Sequence, residues 1–313
     1  MSRFVPALKR ALTVAFIACV AYFFWRAFRR NWATISTLKL HPNYGFVALS
    51  LTVMVAAALV ATWAWHLSVN SLAESEGRIT FSQSIATVNT SSLTKYVPGK
   101  IWSYALQMYW LSNLGFSKSL VLYVNLLNMA ISLAANVILG LVCWLLASNK
   151  YLMFASLALG SLLVLDLVAI QFSGPVLNWG VKLVNRLFKR NVSYFRVAPR
   201  LMLELHGVHL LASSLSGFSV FLLCFGVGYQ VDAHLGFLVT ASSLIADVAG
   251  YLAFMVPGGL GVREALMYAM LGGVSSGSIG LVLPLAARVA SMLADVAVGA
   301  VALKLLQSWA KPK

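Results

Sequence analysis

Six stretches of this chain are predominantly apolar over lengths that match the thickness of a lipid bilayer, and no other feature constrains its fold as strongly. They run approximately 11–28, 45–68, 119–148, 152–171, 201–229 and 278–306. The hydrocarbon core of a membrane is roughly 30 Å thick and a helix rises about 1.5 Å per residue, so about 20 such residues cross it. The composition agrees: 60% of the 313 residues are hydrophobic and 10% charged, with a mean hydropathy of +0.85, where soluble domains carry about 25% charged residues. A water-soluble fold of this length has no interior large enough to hide that much apolar surface. Trp25, Trp32, Trp65, Trp144, Tyr151 and Tyr229 lie at the edges of these runs, where an aromatic ring can sit between headgroups and acyl chains. The first run follows Lys9 and Arg10 and ends at Phe28 among arginines, with no small-residue cleavage site, so it reads as an uncleaved anchor.

Two further stretches are apolar but interrupted. Residues 79–114 break at Tyr96-Val97-Pro98-Gly99-Lys100, and residues 236–272 break at Val256-Pro257-Gly258-Gly259-Leu260-Gly261. Proline beside glycine ends a helix, and each remaining half is read as too short to span. Both therefore read as re-entrant hairpins, pairs of half-helices that dip into the bilayer and return. The breaks align, Val97-Pro98-Gly99 on Val256-Pro257-Gly258, and one full span flanks each hairpin on either side. The expectation is an all-α integral membrane protein of about six full spans plus two hairpins, a single transmembrane domain over 1–313. Repeat one covers about 45–148 (hairpin 79–114) and repeat two about 201–306 (hairpin 236–272), joined by a basic linker at 172–200.

The formal net charge of +15 raises nucleic acid as a partner, but basic residues in such a chain act as topology signals and contacts to anionic headgroups, so no nucleic acid is expected. Lys182, Arg186, Lys189, Arg190, Arg196 and Arg200 form a run without an acidic residue, and Lys304, Lys311 and Lys313 mark the C-terminus. Placing both on the cytoplasmic side puts both termini inside and gives the two repeats opposite orientations, an inverted repeat. Arg26, Arg29, Arg30 and Lys39 violate the bias locally, yet the reverse arrangement exports the larger cluster. Trp179, Val181, Leu183, Val184, Leu187 and Phe188, interleaved with the basic residues, fit either an amphipathic cytoplasmic helix or a solvated linker.

A helix that starts at membrane depth leaves amide N–H groups unpaired and presents the positive end of its dipole to anions. Helices start after Pro98-Gly99, near Lys95 and Lys100, and after Pro257, where Gly258, Gly259 and Gly261 allow close backbone approach and Arg263 sits in the first turn. A phosphate is the matching guest; the alternative is that the glycines only let the hairpins pack and the lysines reach the interface. Asp166, Asp247, Glu264, Arg288 and Asp295 are further ionisable residues within apolar stretches. Arg288 is expected to pair with Asp247 or Glu264, and Arg263 with Asp295, either as structural ion pairs or with Asp247 and Asp295 coupling an ion. Asn89, Thr90, Ser91 and Ser92 either line a hydrated groove or bond neighbouring helices. His206 and His209, three apart, lack a third ligand at matching spacing, and Cys19, Cys143 and Cys224 stand singly, so no metal is expected. Without a nucleotide-binding loop or a nucleophile elbow, neither a cofactor nor a catalytic group is expected.

Lys95-Tyr96-Val97-Pro98-Gly99-Lys100-Ile101-Trp102 and Pro257-Gly258-Gly259-Leu260-Gly261-Val262-Arg263-Glu264 resemble the two signature segments of the lysylphosphatidylglycerol synthetase transmembrane-region family, also described as flippase-like. Arg288 resembles the arginine that family carries in its last span. The resemblance covers roughly 11–306. It implies a bacterial or archaeal membrane protein that moves aminoacylated phospholipids or polyprenyl-phosphate-linked sugars across the inner membrane, and it marks Tyr96 and Trp102 as site residues beside those named above. The chain stops at Lys313 without the soluble aminoacyl-transferase domain of two-domain members, so lysyl-lipid synthesis is not expected. The leading expectation is a flippase, not an enzyme, whose partner is a membrane lipid with an anionic phosphate headgroup. The alternatives are a membrane-embedded enzyme using Glu264 or Asp247 as acid or base, and a non-transporting partner of envelope-glycolipid biosynthesis enzymes. The residues fix neither the lipid nor the oligomeric state.

Overall fold

A computed structural model of the chain describes residues 41–73, 76–96, 101–148, 197–253, 256–272 and 278–309, with Arg29, Lys182, Arg186 and Phe195 as isolated positions. The described residues form helices without a strand: α1 (Tyr44–Leu72), α2 (Phe81–Ser92), α3 (Ile101–Ser112), α4 (Lys118–Ala147), α5 (Pro199–Gly226), α6 (Ala233–Leu252), α7 (Val262–Leu271) and α8 (Ser278–Trp309). Polar side chains fix four of these starts by accepting the otherwise unpaired first amides. Asn43 Oδ1 accepts from Gly45 N at 3.1 Å, Ser117 Oγ from Leu120 N at 3.2 Å and Asp232 Oδ1 from Leu235 N at 2.8 Å. At α2, Thr80 and Gln83 cap each other's backbone amides at 2.8 and 3.3 Å.

Four of the six predicted spans are present as α1, α4, α5 and α8. The other two, 11–28 and 152–171, lie outside the described residues, as do Asp166, Cys19, most of the 172–200 linker and the basic positions Arg26, Arg30 and Lys39. Among the described residues a fifth helix, α6, is also long and apolar enough to cross a membrane. This corrects the reading that each half of a broken segment is too short. The second segment begins earlier than the sequence pattern suggested, because Asp232 caps the helix ahead of Gly236. The remaining limbs are short, with 12 residues each in α2 and α3 and 10 in α7.

Helices α1 and α5 run antiparallel along each other, as three contacts show: Asn43 N donates to Gly226 O, a Cβ on Gly226 would meet Val47, and Ser50 Oγ donates to Ser219 O at 2.7 Å. Around this pair the packing is reciprocal, for α4 lies on α6 while α8 lies on α2. One apolar core gathers Val69, Leu111, Leu120, Val124, Leu127 and Leu205; the other gathers Leu223, Val239, Met267, Leu271, Ile279 and Leu283. Trp65 belongs to the first core at 4% exposure, so it is not the interfacial anchor that its place in the run suggested. Lipid tails are as apolar as leucine, so packing and internal hydrogen bonds, each worth about 0.6 kcal/mol, hold such a bundle. Asn128 Nδ2 donates to Ser68 Oγ at 2.9 Å and Asn89 Nδ2 to Thr62 Oγ1 at 3.1 Å.

Candidate functional site

The two interruptions meet. Helix α2 runs into a single 3₁₀ turn, Leu93–Tyr96, and α6 is followed by a second, Pro257–Gly259; the two turns touch. Helix α8 passes beside them. It carries Gly299 where a Cβ would lie 2.8 Å from the methyls of Leu93, which lets the first turn seat against it. Arg288 and Asp295, two helical turns apart on α8, thereby reach different parts of the junction. An adjoining side of that stretch carries exposed Val289, Leu293 and Val296, an apolar stripe suited to lipid.

Asp295 receives two donors from the first turn: Lys95 Nζ at 2.7 Å from Oδ2, and a short hydrogen bond from the Tyr96 hydroxyl. Arg263 on α7 forms an ion pair with Asp247 on α6. Arg288, with 3% of its side chain exposed, lies 3.7 Å through Nε from Glu264 Oε1. That separation is an ion pair and too long for a hydrogen bond, in keeping with a Nε that has no hydrogen-bond partner. Arg288 Nη1 donates to Gly258 O at 2.9 Å, while Nη2 is buried without a hydrogen-bond partner. The guanidinium carbon stands 5.6 Å from the Tyr96 ring centroid and Lys95 Nζ 5.5 Å from it, within cation–π range. Among these described residues three cations, Lys95, Arg263 and Arg288, face three carboxylates, Asp247, Glu264 and Asp295, so the cluster is formally neutral.

Gly258 makes this arrangement possible. Its φ of +55° belongs to the left-handed region, and a Cβ there would lie 2.8 Å from Arg288 Nη2 and 3.4 Å from Tyr96 Cδ1. Gly259, at φ +69°, lets the turn approach α6 so closely that a Cβ would stand 2.7 Å from Gly250 Cα. Only glycine holds both conformations without strain.

The geometry brings Lys95, Tyr96, Asp247, Gly258, Gly259, Gly261, Arg263, Glu264, Arg288 and Asp295 to one junction. Pro98, Gly99 and Lys100 lie outside the described residues, Pro257 contributes its backbone to the second turn, and Trp102 is half exposed on α3. One expectation is corrected. Arg263 pairs with Asp247 instead of Asp295, because the first turn supplies Asp295 with closer donors. At the start of α7, Glu264 Oε2 accepts from Gly261 N at 2.6 Å, the reach-back of an N3 glutamate to its N-cap. Of the two partners offered for Arg288, Glu264 is the one found.

Two contributors escaped the sequence reading. Gly250 leaves the space that the Arg263 stem occupies, since a Cβ there would overlap Cγ and Cδ. Tyr104 on α3 approaches Tyr251 on α6, hydroxyl to hydroxyl at 3.3 Å, joining the two broken segments a second time. The Gly250-Tyr251 pair just before the second break was the available signal. Of the polar residues 89–92, Asn89 and Ser91 bond neighbouring helices, Asn89 to Thr62 and Ser91 through Gln107 Nε2, which donates to its Oγ at 2.9 Å; Ser92 Oγ donates to Asn89 O within its own helix and Thr90 Oγ1 is buried without a hydrogen-bond partner. His206 Nδ1 meets Met202 O at 2.8 Å and His209 Nε2 meets Asn128 Oδ1 at 3.0 Å.

Comparison with curated proteins gives no significant match. A family model described as the lysylphosphatidylglycerol synthase TM region matches residues 10–299, which takes in both breaks and all the cluster residues. With so much of its length matched, this multi-pass helical chain belongs to the lysylphosphatidylglycerol synthase TM-region family.

Proposed function

We propose that the protein is a flippase that moves a phosphate-headed lipid, a polyprenyl-phosphate-linked sugar or a modified phospholipid, across the inner membrane, with its termini on the cytoplasmic side. One observation carries this reading: a fully buried arginine, set between the two breaks, keeps an unused N–H donor. A buried cation is costly and persists where it serves binding or coupling, and a guanidinium is the side chain best matched to phosphate oxygens. The antiparallel α1–α5 pair and the reciprocal seating of α4 on α6 and α8 on α2 support an inverted repeat, the layout in which a headgroup site lies at broken helices near the bilayer midplane. In this reading the headgroup enters at the junction while the tails stay in lipid beside the Val289, Leu293 and Val296 stripe. Asp247 and Glu264, the carboxylates an embedded enzyme would use, are each held by a cation, which favours transport.

Reconstitution tests it. Vesicles of phosphatidylcholine and phosphatidylglycerol, carrying fluorescent phosphatidylglycerol or a labelled polyprenyl-phosphate sugar, are exposed to an impermeant quencher. Protein-containing vesicles should lose the protected inner-leaflet signal, and Arg288→Met should restore it. Rates equal to those of empty vesicles for every lipid tried would rule transport out. Stable co-purification with envelope-glycolipid enzymes, with Lys95 and Arg288 replaceable at no functional cost, would point to a partner subunit instead.

A further inference from the structure

The charge balance of the cluster has a consequence for what accompanies the headgroup. Building on the anion reading above, we infer that the junction takes up a proton with each singly charged phosphate headgroup, and that Asp295 receives it. Three cations already face three carboxylates in a setting where Arg288 is 4% exposed. At the junction, every cation among the described residues already faces a carboxylate, so a fourth negative charge there is unbalanced, which a low-dielectric site strongly disfavours. Neutrality returns if one carboxylate becomes a carboxylic acid.

The geometry selects which one. Glu264 is fixed by the Gly261 amide as well as by Arg288. The Arg263–Asp247 pair is anchored on the arginine side, because the Arg263 stem packs into the space that Gly250 leaves. Lys95 differs: its side chain is 39% exposed, and its ammonium rides on a flexible four-carbon stem. When a phosphate oxygen takes the free Arg288 Nη2–H, Lys95 can swing onto a second oxygen and leave Asp295 with only the Tyr96 hydroxyl. The carboxylate then takes a proton that reaches it from the buffered aqueous phase, where a buffer acid becomes its conjugate base; one O–H bond forms on Asp295, and the loaded cluster is neutral. Release reverses each step, so headgroup and proton travel in the same direction.

Among the described residues, the other histidines and carboxylates on the elements packed against α8 are held by partners of their own. Helix α2, packed against α8, carries none. On α1, His66 Nδ1 meets Ser84 Oγ, and on α5 His206 and His209 meet Met202 O and Asn128 Oδ1. Arg200 and Glu204 on α5 pair with each other. What remains facing Asp295 is Lys95 and Tyr96 from the first turn, Arg288 on α8 itself, Arg263 and Glu264 from α7 and, behind them, Asp247 on α6.

Titration calorimetry of the purified full chain in a neutral detergent, run in two buffers of contrasting ionisation heat, counts the protons. Dihexanoyl phosphatidylglycerol is the probe, since its phosphodiester keeps one charge throughout the neutral range; zwitterionic dihexanoyl phosphatidylcholine is the control. The expected result is about one proton taken up per phosphatidylglycerol bound and none with phosphatidylcholine. Asp295→Asn should bind phosphatidylglycerol about tenfold more tightly without taking up a proton, having lost one negative charge. Phosphatidylglycerol binding to the unaltered protein without proton uptake overturns the coupling while leaving the anion site intact. Absence of any phosphatidylglycerol binding removes the anion site and the coupling together. Proton uptake that survives Asp295→Asn overturns the choice of Asp295. Should Asp295→Asn fail to fold, the contrast between the two lipids on the unaltered protein decides the coupling alone.

Discussion

The first interruption works through side chains and the second through backbone. Lys95 and Tyr96 reach from the turn after α2 to Asp295 on α8, and the lysine is partly open to its surroundings. The turn after α6 instead contributes three glycines at positive φ and a carbonyl oxygen that holds Arg288. A flexible stem can exchange partners at little conformational cost, whereas a left-handed glycine turn has one shape. The pair therefore combines a movable cation with a fixed cradle. That division suits a site which must bind a headgroup and later let it go.

Arg288, where both breaks converge, should be the most sensitive position. Arg288→Ala leaves Glu264 without its cation and Gly258 O without its donor, and breaking a buried pair in this way costs about 3–5 kcal/mol. Chemical unfolding of the purified protein in detergent should show that loss together with abolished transport; a fully stable but inactive variant would mean the arginine is no part of the cradle. Gly258→Ala tests the backbone half of the comparison. A left-handed conformation costs a residue with a Cβ about 1–2 kcal/mol of stability; the methyl would also press on Arg288 Nη2, the donor offered to the headgroup, so phosphatidylglycerol affinity should fall as well. Lys95→Met tests the side-chain half and should cost least in stability, under about 1 kcal/mol for a partly exposed pair, while slowing lipid movement. If Lys95→Met destabilised the fold as much as Gly258→Ala, the distinction between a movable and a fixed interruption would collapse.

Much of this architecture was legible beforehand because membranes impose length. An apolar run of bilayer thickness must become a helix that satisfies its own backbone, so α1, α4, α5 and α8 followed from the residues alone, as did a helix on either side of each break. Errors arose where boundaries depend on a single cap. Asp232 moved the start of α6 outward and made that limb long enough to cross a bilayer. Trp65 looked interfacial because a linear pattern does not distinguish the edge of a run from the side of a helix that turns inward. Glu264 was legible as an ionisable residue within an apolar stretch, but not as the acceptor of the Gly261 amide, since that depends on the backbone conformation of Gly261.

The sequence by itself determined that the chain is a multi-pass helical protein with two glycine- and proline-broken segments and an unusual set of intramembrane charges. Hydropathy, helix rise and the rigidity of proline act locally, within a few turns, and can be read without coordinates. Which charge meets which was decided by the tertiary structure alone. Arg263 takes Asp247, Asp295 takes Lys95 and Tyr96 from a segment about 200 residues away, and Arg288 is left with a spare donor. Ion pairing falls off over a few ångströms, and only the meeting of the two broken helices beside α8 brings those side chains within that range.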